Sequence, residues 1–176
     1  GLVAVGGAGL LRHLDAAERH EGALERLIGL QADNLLQLVY NKKDVTLTWN
    51  GDSVSNTWQT KGGLTPWIAE GSDDNQFYSN DKVVFTDAAA EKTVSIVGTV
   101  KPNTMEVTGG DYTFNAGTNG TISGSGSLSL KGGSLTMNLV NAGWDGEISV
   151  TGSELKFING ALGTGKITLN EGATLT

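Results

Sequence analysis

Residues 105–114 read MEVTGGDYTF and residues 148–157 read ISVTGSELKF, with apolar side chains at the same four places in each. Within each stretch the apolar positions fall two apart on either side of a Thr-Gly turn, the alternation of a strand that buries one face. A second echo follows, since GSGSLSLKGG (124–133) returns as GTGKITLNEG (163–172). Gly124/Gly163, Gly126/Gly165 and Gly133/Gly172 are identical there, and Leu128/Ile167 and Leu130/Leu169 remain apolar. The offsets are 43 and 39 residues, so the unit is close to 40 residues. The difference falls in the Gly/Asn/Thr segment after Phe114, where a surface loop tolerates a change of length.

The same two-residue period runs through VTLTW (45–49), KVVFTD (82–87), TVSIVGTV (93–100), SLTMNLV (134–140) and KITLNEGATLT (166–176), separated by Gly-Gly, Asn-Gly and Gly-Ser-Gly turns. A sandwich would alternate in the same way. The internal repeat separates the cases, because units of this length bury their apolar faces only by stacking on one another. One turn of a parallel β-helix takes about 20 residues, so the unit corresponds to two turns. A propeller blade has a similar length but needs four or more copies to close its ring. Stacked turns predict that Met105, Val107, Tyr112, Phe114, Leu128, Leu130, Ile148, Val150, Leu155, Phe157, Ile167 and Leu169 point inward.

Before Asn41 the period changes. Leu24, Leu27, Ile28, Leu35, Leu38 and Val39 recur at spacings of three, four and seven, which predicts an amphipathic helix or a broken pair of helices over 11–40. Gly22 and Gly29 are places for a bend. An open solenoid end exposes unpaired backbone and a bare apolar cross-section. The helical stripe is therefore expected to cap the first turn near Val45, Leu47 and Trp49. The opening GLVAVGGAGLL invites a secretory-leader reading but lacks a basic first segment, so a start within a longer protein is the expectation.

The repeated text also resembles a known family. GSGSLSLKGG, then NAGWDGEISVTGSELKF and LGTGKITLNEGATL, are similar to the autotransporter-associated β-strand repeat of bacterial passenger domains. Asn141, Trp144 and Gly146 fill that repeat's turn, with Trp in the place of the usual Tyr. LTWNG (47–51), NTW (56–58), PW (66–67), FYSNDKVVFTD (77–87) and VKPNTMEV (100–107) resemble the aromatic lead-in to such repeats, so the likeness covers residues 45–176. It implies β-helical architecture, exposure on the cell surface, at the outer membrane or by secretion, and a scaffold role, with further repeats of the same polypeptide as neighbours. Pattern and resemblance together predict a mainly β chain: a right-handed parallel β-helix over 44–176, preceded by an α-helical segment over 1–43. The expected function is a non-catalytic stalk or adhesion scaffold whose partners are host or matrix glycans or proteins. The alternative is a carbohydrate-active β-helix enzyme or glycan-binding module.

Composition narrows the chemistry. A net charge of −7 opposes nucleic acid and anionic lipid as partners, and no stretch is apolar for long enough to span a membrane. Cysteine is absent, which removes disulfides and thiolate sites. All three arginines and both histidines lie in the first 26 residues. His13 and His20 are seven apart among acids, a solvated helical face without a third metal ligand. The serines downstream have no His to activate them, so neither a catalytic centre nor a cofactor is expected. Two clusters remain. Asp73, Asp74 and Asp81 in GSDDNQFYSND supply hard oxygens of the kind calcium takes, though without EF-hand spacing. Trp49, Trp58, Trp67 and Tyr78, with Phe77, are either glycan-stacking aromatics or plugs of the first turns.

Overall fold

The computed structural model describes residues 2–6, 10–14, 45–62 and 65–176. The chain divides into two units, residues 1–43 and 44–176. In the first, β1 (Leu2–Gly6) and β2 (Leu10–Leu14) pair antiparallel, with Leu2 opposite Leu14 and Gly6 opposite Leu10. Leu11–Leu14 are thus strand where the apolar spacing predicts the start of a helix. The β-branched Val3 and Val5 of the opposing segment favour an extended backbone, and pairing with it bonds those backbone groups of 10–14 that face it. The stripe from Leu24 to Val39 and its capping role lie outside the described residues.

The second unit is a parallel β-solenoid. Each turn contributes one strand to each of two long sheets. The first sheet contains β3 (Thr46–Trp49), β6 (Lys82–Phe85), β9 (Thr104–Val107), β12 (Ser127–Leu130), β14 (Ile148–Val150) and β16 (Ile167–Leu169), each parallel to the next. The second contains β4 (Thr57–Trp58), β7 (Thr93–Ile96), β10 (Asp111–Ala116), β13 (Ser134–Asn138), β15 (Glu154–Phe157) and β17 (Thr174–Leu175), also parallel throughout. A short third side begins with β8 (Thr99–Val100) beside β11 (Thr121–Ile122) and continues as a bridge between Gly124 and Trp144.

Register explains the repeated text. Met105 stands beside Leu128, Leu128 beside Ile148 and Ile148 beside Ile167, successive steps of 23, 20 and 19 residues. The offsets of 43 and 39 are therefore two turns each, and the turn between them, LSLKGGSLTM (128–137), carries apolar residues at the same four places. The repeated Gly126 and Gly165, with Gly146 between them, sit at corners where successive turns approach too closely for a side chain. A Cβ on Gly126 would lie 2.0 Å from the Pro102 carbonyl oxygen, one on Gly146 1.9 Å from that of Gly126, and one on Gly165 1.9 Å from that of Gly146. Any larger residue would hold these turns apart.

Inside, the columns Val83–Met105–Leu128–Ile148 and Val94–Phe114–Met137 are fully buried, and Val107, Leu130, Val150, Tyr112, Leu135 and Leu155 complete the core. Phe157, Ile167 and Leu169 keep their places in these columns and are 37%, 38% and 49% exposed. The other end is closed by the chain itself. After β4 an excursion returns as β5 (Trp67–Ala69), which pairs antiparallel with β3 along its free edge, Leu47 opposite Ala69 and Trp49 opposite Trp67. Leu47 stands between Ala69 of β5 and Val83 of β6, and Trp49 stands opposite Trp67.

Candidate functional site

The aromatic lead-in forms the packing of that closed end. Trp49, Trp58, Trp67, Phe77 and Phe85 are each no more than 3% exposed. Their rings meet edge to face, as in Trp49–Trp67 at 4.9 Å and Trp58–Phe77 at 5.4 Å between centroids, a geometry that adds to area burial. Trp49 Nε1 donates to the Glu91 carbonyl at 2.7 Å, whereas Trp58 Nε1 is buried with no acceptor, among the rings of Trp67, Phe77, Phe85 and Phe114. Trp49, Trp58 and Trp67 therefore offer no face on which a sugar ring could stack. Large flat side chains fill the wide first turn, and that need for volume takes them inside. Tyr78 stays half-buried at the surface.

The aspartates are not gathered into a ligand set. Asp73 is exposed, Asp74 half-buried and Asp81 buried. Asp81 Oδ2 accepts from the Tyr78 N–H at 2.8 Å and Asp74 Oδ1 from the Gln76 N–H at 3.1 Å, while Asn75 Oδ1 accepts from the Ala69 N–H at 2.9 Å. These side chains bond to nearby backbone and hold the excursion against β5, as Asx turns do. Among the described residues no three His, Asp or Glu groups converge as a metal site. His13 lies on β2 opposite Val3, and His20 is outside the described residues.

What faces solvent is a set of straight polar columns. On the second sheet Thr93, Thr113, Thr136 and Lys156 stack in one, and Ser95, Asn115 and Asn138 in another. Asn138 Nδ2 donates to Asn115 Oδ1 at 3.1 Å, and in the column beside them Ser134 Oγ donates to Asp111 Oδ1 at 2.9 Å. On the first sheet the column runs Thr48, Val84, Glu106, Ser129, Ser149, Thr168. Neighbours in a column are about 4.8 Å apart, and alternate residues along a strand about 6.7 Å. Hydroxyls and amides predominate, interrupted by Val84, Glu106 and Lys156. The Lys156–Glu154 pair at 3.1 Å lies on open surface, and the Lys92–Asp87 pair at 3.5 Å joins a half-buried lysine to an exposed acid. A dimple of about 10 Å³, lined by residues such as Gln59, Pro66, Asn75 and Gln76, has room for a single water.

One corner has a polar group where a core residue is expected. Asn141 is buried, accepting from the Ile122 N–H at 2.7 Å and donating Nδ2 to the Ala161 carbonyl at 2.7 Å. Its side chain thus replaces the backbone ladder of the third side, joining the turn below to the turn above. Trp144 beside it is buried and donates Nε1 to the Gly126 carbonyl at 2.7 Å. The motif that carries the resemblance, Asn141, Trp144 and Gly146, is a clasp between turns. Sequence reading placed these residues in a turn and missed the clasp. The signal available was a polar residue and an aromatic one on either side of Ala-Gly, in a segment with no strand alternation of its own.

Two ionisable groups are displaced from their ordinary ranges. Burial pushes the Tyr112 phenol up to about 12, and the Asp87 charge adds to the rise; the phenol donates to the Thr86 carbonyl at 2.6 Å. At Asp52, partial burial pulls the carboxyl upward. The N–H groups of Asn56, Val54 and Ser55 and the Ser55 hydroxyl outweigh it and hold the group below its usual value. Compared with known proteins, the chain matches no protein family, no curated protein and no solved structure.

Proposed function

We propose that residues 44–176 form a right-handed solenoid that serves as a non-catalytic stalk or adhesion scaffold of a bacterial surface-exposed or secreted, autotransporter-like protein. The observation that carries this reading is the set of in-register outer columns of Thr, Ser and Asn on both long sheets. Such columns present the same hydroxyls and amides at a constant repeat of about 4.8 Å, the surface a long, water-exposed spacer needs and one suited to shallow contacts with glycans or extended protein segments. The buried columns beneath give rigidity along the axis. Right-handedness accords with the general rule for parallel crossovers.

Incubating the intact chain with a panel of plant, bacterial and matrix polysaccharides, and measuring new reducing ends and unsaturated products, tests the reading. The scaffold account expects no turnover of any substrate. Turnover that disappears in Glu106→Gln or Lys156→Ala would replace it with the carbohydrate-active alternative.

A further inference from the structure

The turn that follows β15 carries chemistry unrelated to binding. Ile158–Ala161 close a turn in which the Ala161 N–H donates to the Ile158 carbonyl at 3.1 Å, with Gly160 at φ 80°. Asn159 and Gly160 are both exposed. The chain has three Asn-Gly steps, at 50–51, 119–120 and 159–160. In two of them the glycine N–H is engaged: Gly51 donates to the Pro66 carbonyl at 3.1 Å and Gly120 to the Gly117 carbonyl at 3.1 Å. Among the described residues the Asn159–Gly160 peptide makes neither a donor nor an acceptor contact. A peptide plane unbonded on both sides can rotate about its flanking dihedrals without breaking the ladder, and that rotation carries the Gly160 nitrogen toward the Asn159 side-chain carbonyl.

We infer that Asn159 is a site of spontaneous deamidation and that its conversion loosens the Asn141 clasp. The Gly160 nitrogen attacks Asn159 Cγ and loses its proton to solvent as the ring C–N bond forms. The Cγ–Nδ2 bond breaks and ammonia leaves, having taken up a proton from water. Water then opens the succinimide, giving aspartate if it adds at Cγ and iso-aspartate if it adds at the backbone carbonyl carbon. No oxidant or enzyme is needed. The consequence follows from the neighbours. The Gly160 carbonyl accepts from the Asn141 backbone N–H at 2.9 Å, and the next carbonyl, Ala161, accepts from Asn141 Nδ2 at 2.7 Å. Iso-aspartate inserts a methylene into the main chain immediately before both acceptors, so both cannot keep their places over a buried asparagine.

The test is peptide mapping of the whole chain after ageing at mildly alkaline pH, folded in one arm and fully denatured in the other. In the denatured arm the three Asn-Gly steps should react at similar rates. In the folded arm Asn159 is expected to convert at least roughly fivefold faster than Asn50 or Asn119, whose glycine N–H groups must first give up a hydrogen bond. The aged folded chain should also melt at a lower temperature, and Asn159→Gln should abolish that loss. Equal or faster conversion at Asn50 or Asn119 in the folded arm overturns the site assignment. An unchanged melting temperature after conversion at Asn159 overturns its link to the clasp.

Discussion

Asn141 holds two backbone groups that have no other partner among the described residues, the Ile122 N–H and the Ala161 carbonyl, and it does so where water does not reach. Asn141→Leu has a similar volume but leaves both groups unsatisfied, so it is expected to cost about 2–4 kcal/mol, read as a fall in the urea midpoint at constant slope. Trp58 and Trp49 make an internal comparison. Trp58→Phe removes a buried indole N–H that has no acceptor, whereas Trp49→Phe also strands the Glu91 carbonyl, so the second should be the more destabilising by about 1 kcal/mol. Tyr112 sets an alkaline limit. Its phenol is raised from 10.0 to about 12 in the fold, so the stability it contributes is whole below pH 10 and is lost as pH climbs from there to about 12. Tyr112→Phe should flatten the pH dependence of the unfolding free energy in that window, and an unchanged slope would contradict the assignment. These roles were only partly legible in the text. The alternation already places Tyr112 inside, whereas an asparagine in a turn segment reads as a surface group, and only the cross-turn partners of Asn141 reveal why its burial is tolerated.

At the scale of elements, the strands were legible because a residue on a solenoid strand has only two choices, core or water, and the alternation records them. The echo was seen at two turns, not one. TGG and TGS flank the matching pairs, whereas the intervening turn substitutes Lys131-Gly132-Gly133 in the same place. What could not be read was β5. An antiparallel strand of three residues in a long excursion has no period to announce it, and its register is fixed by Trp49 and Leu47, which lie 18 and 22 residues before their partners Trp67 and Ala69. β5 covers one edge of β3; the stripe expected to act as a cap falls outside the described residues. The loop 51–56 is a separate small element, wired by Asp52 accepting from three successive N–H groups and by Asn56 Oδ1 accepting from Asp52 and Ser53. Because the Asp52 carboxyl is held below its ordinary value, its contribution is present at neutral pH and is lost as acid protonates it at a pH below the usual carboxylate range. Asp52→Ala should raise amide exchange across 53–56 at pH 7 and leave exchange in β9, β12 and β14 unchanged.

For the whole second unit, the account holds that turns of about 20 residues stack in register, so distance along the axis grows with turn number and not with the path of the chain. The outer column Thr48, Val84, Glu106, Ser129, Ser149, Thr168 provides the scale, and the absence of cysteine allows labels to be placed on it without interference. Spin labels on cysteines introduced at Thr168 and, in turn, at Glu106, Val84 and Thr48 should give backbone separations of about 14, 19 and 24 Å by pulsed dipolar spectroscopy, after allowance for the label arms. That equal increment per turn is the result the in-register solenoid predicts; separations that fail to lengthen from Glu106 to Val84 to Thr48 would contradict it.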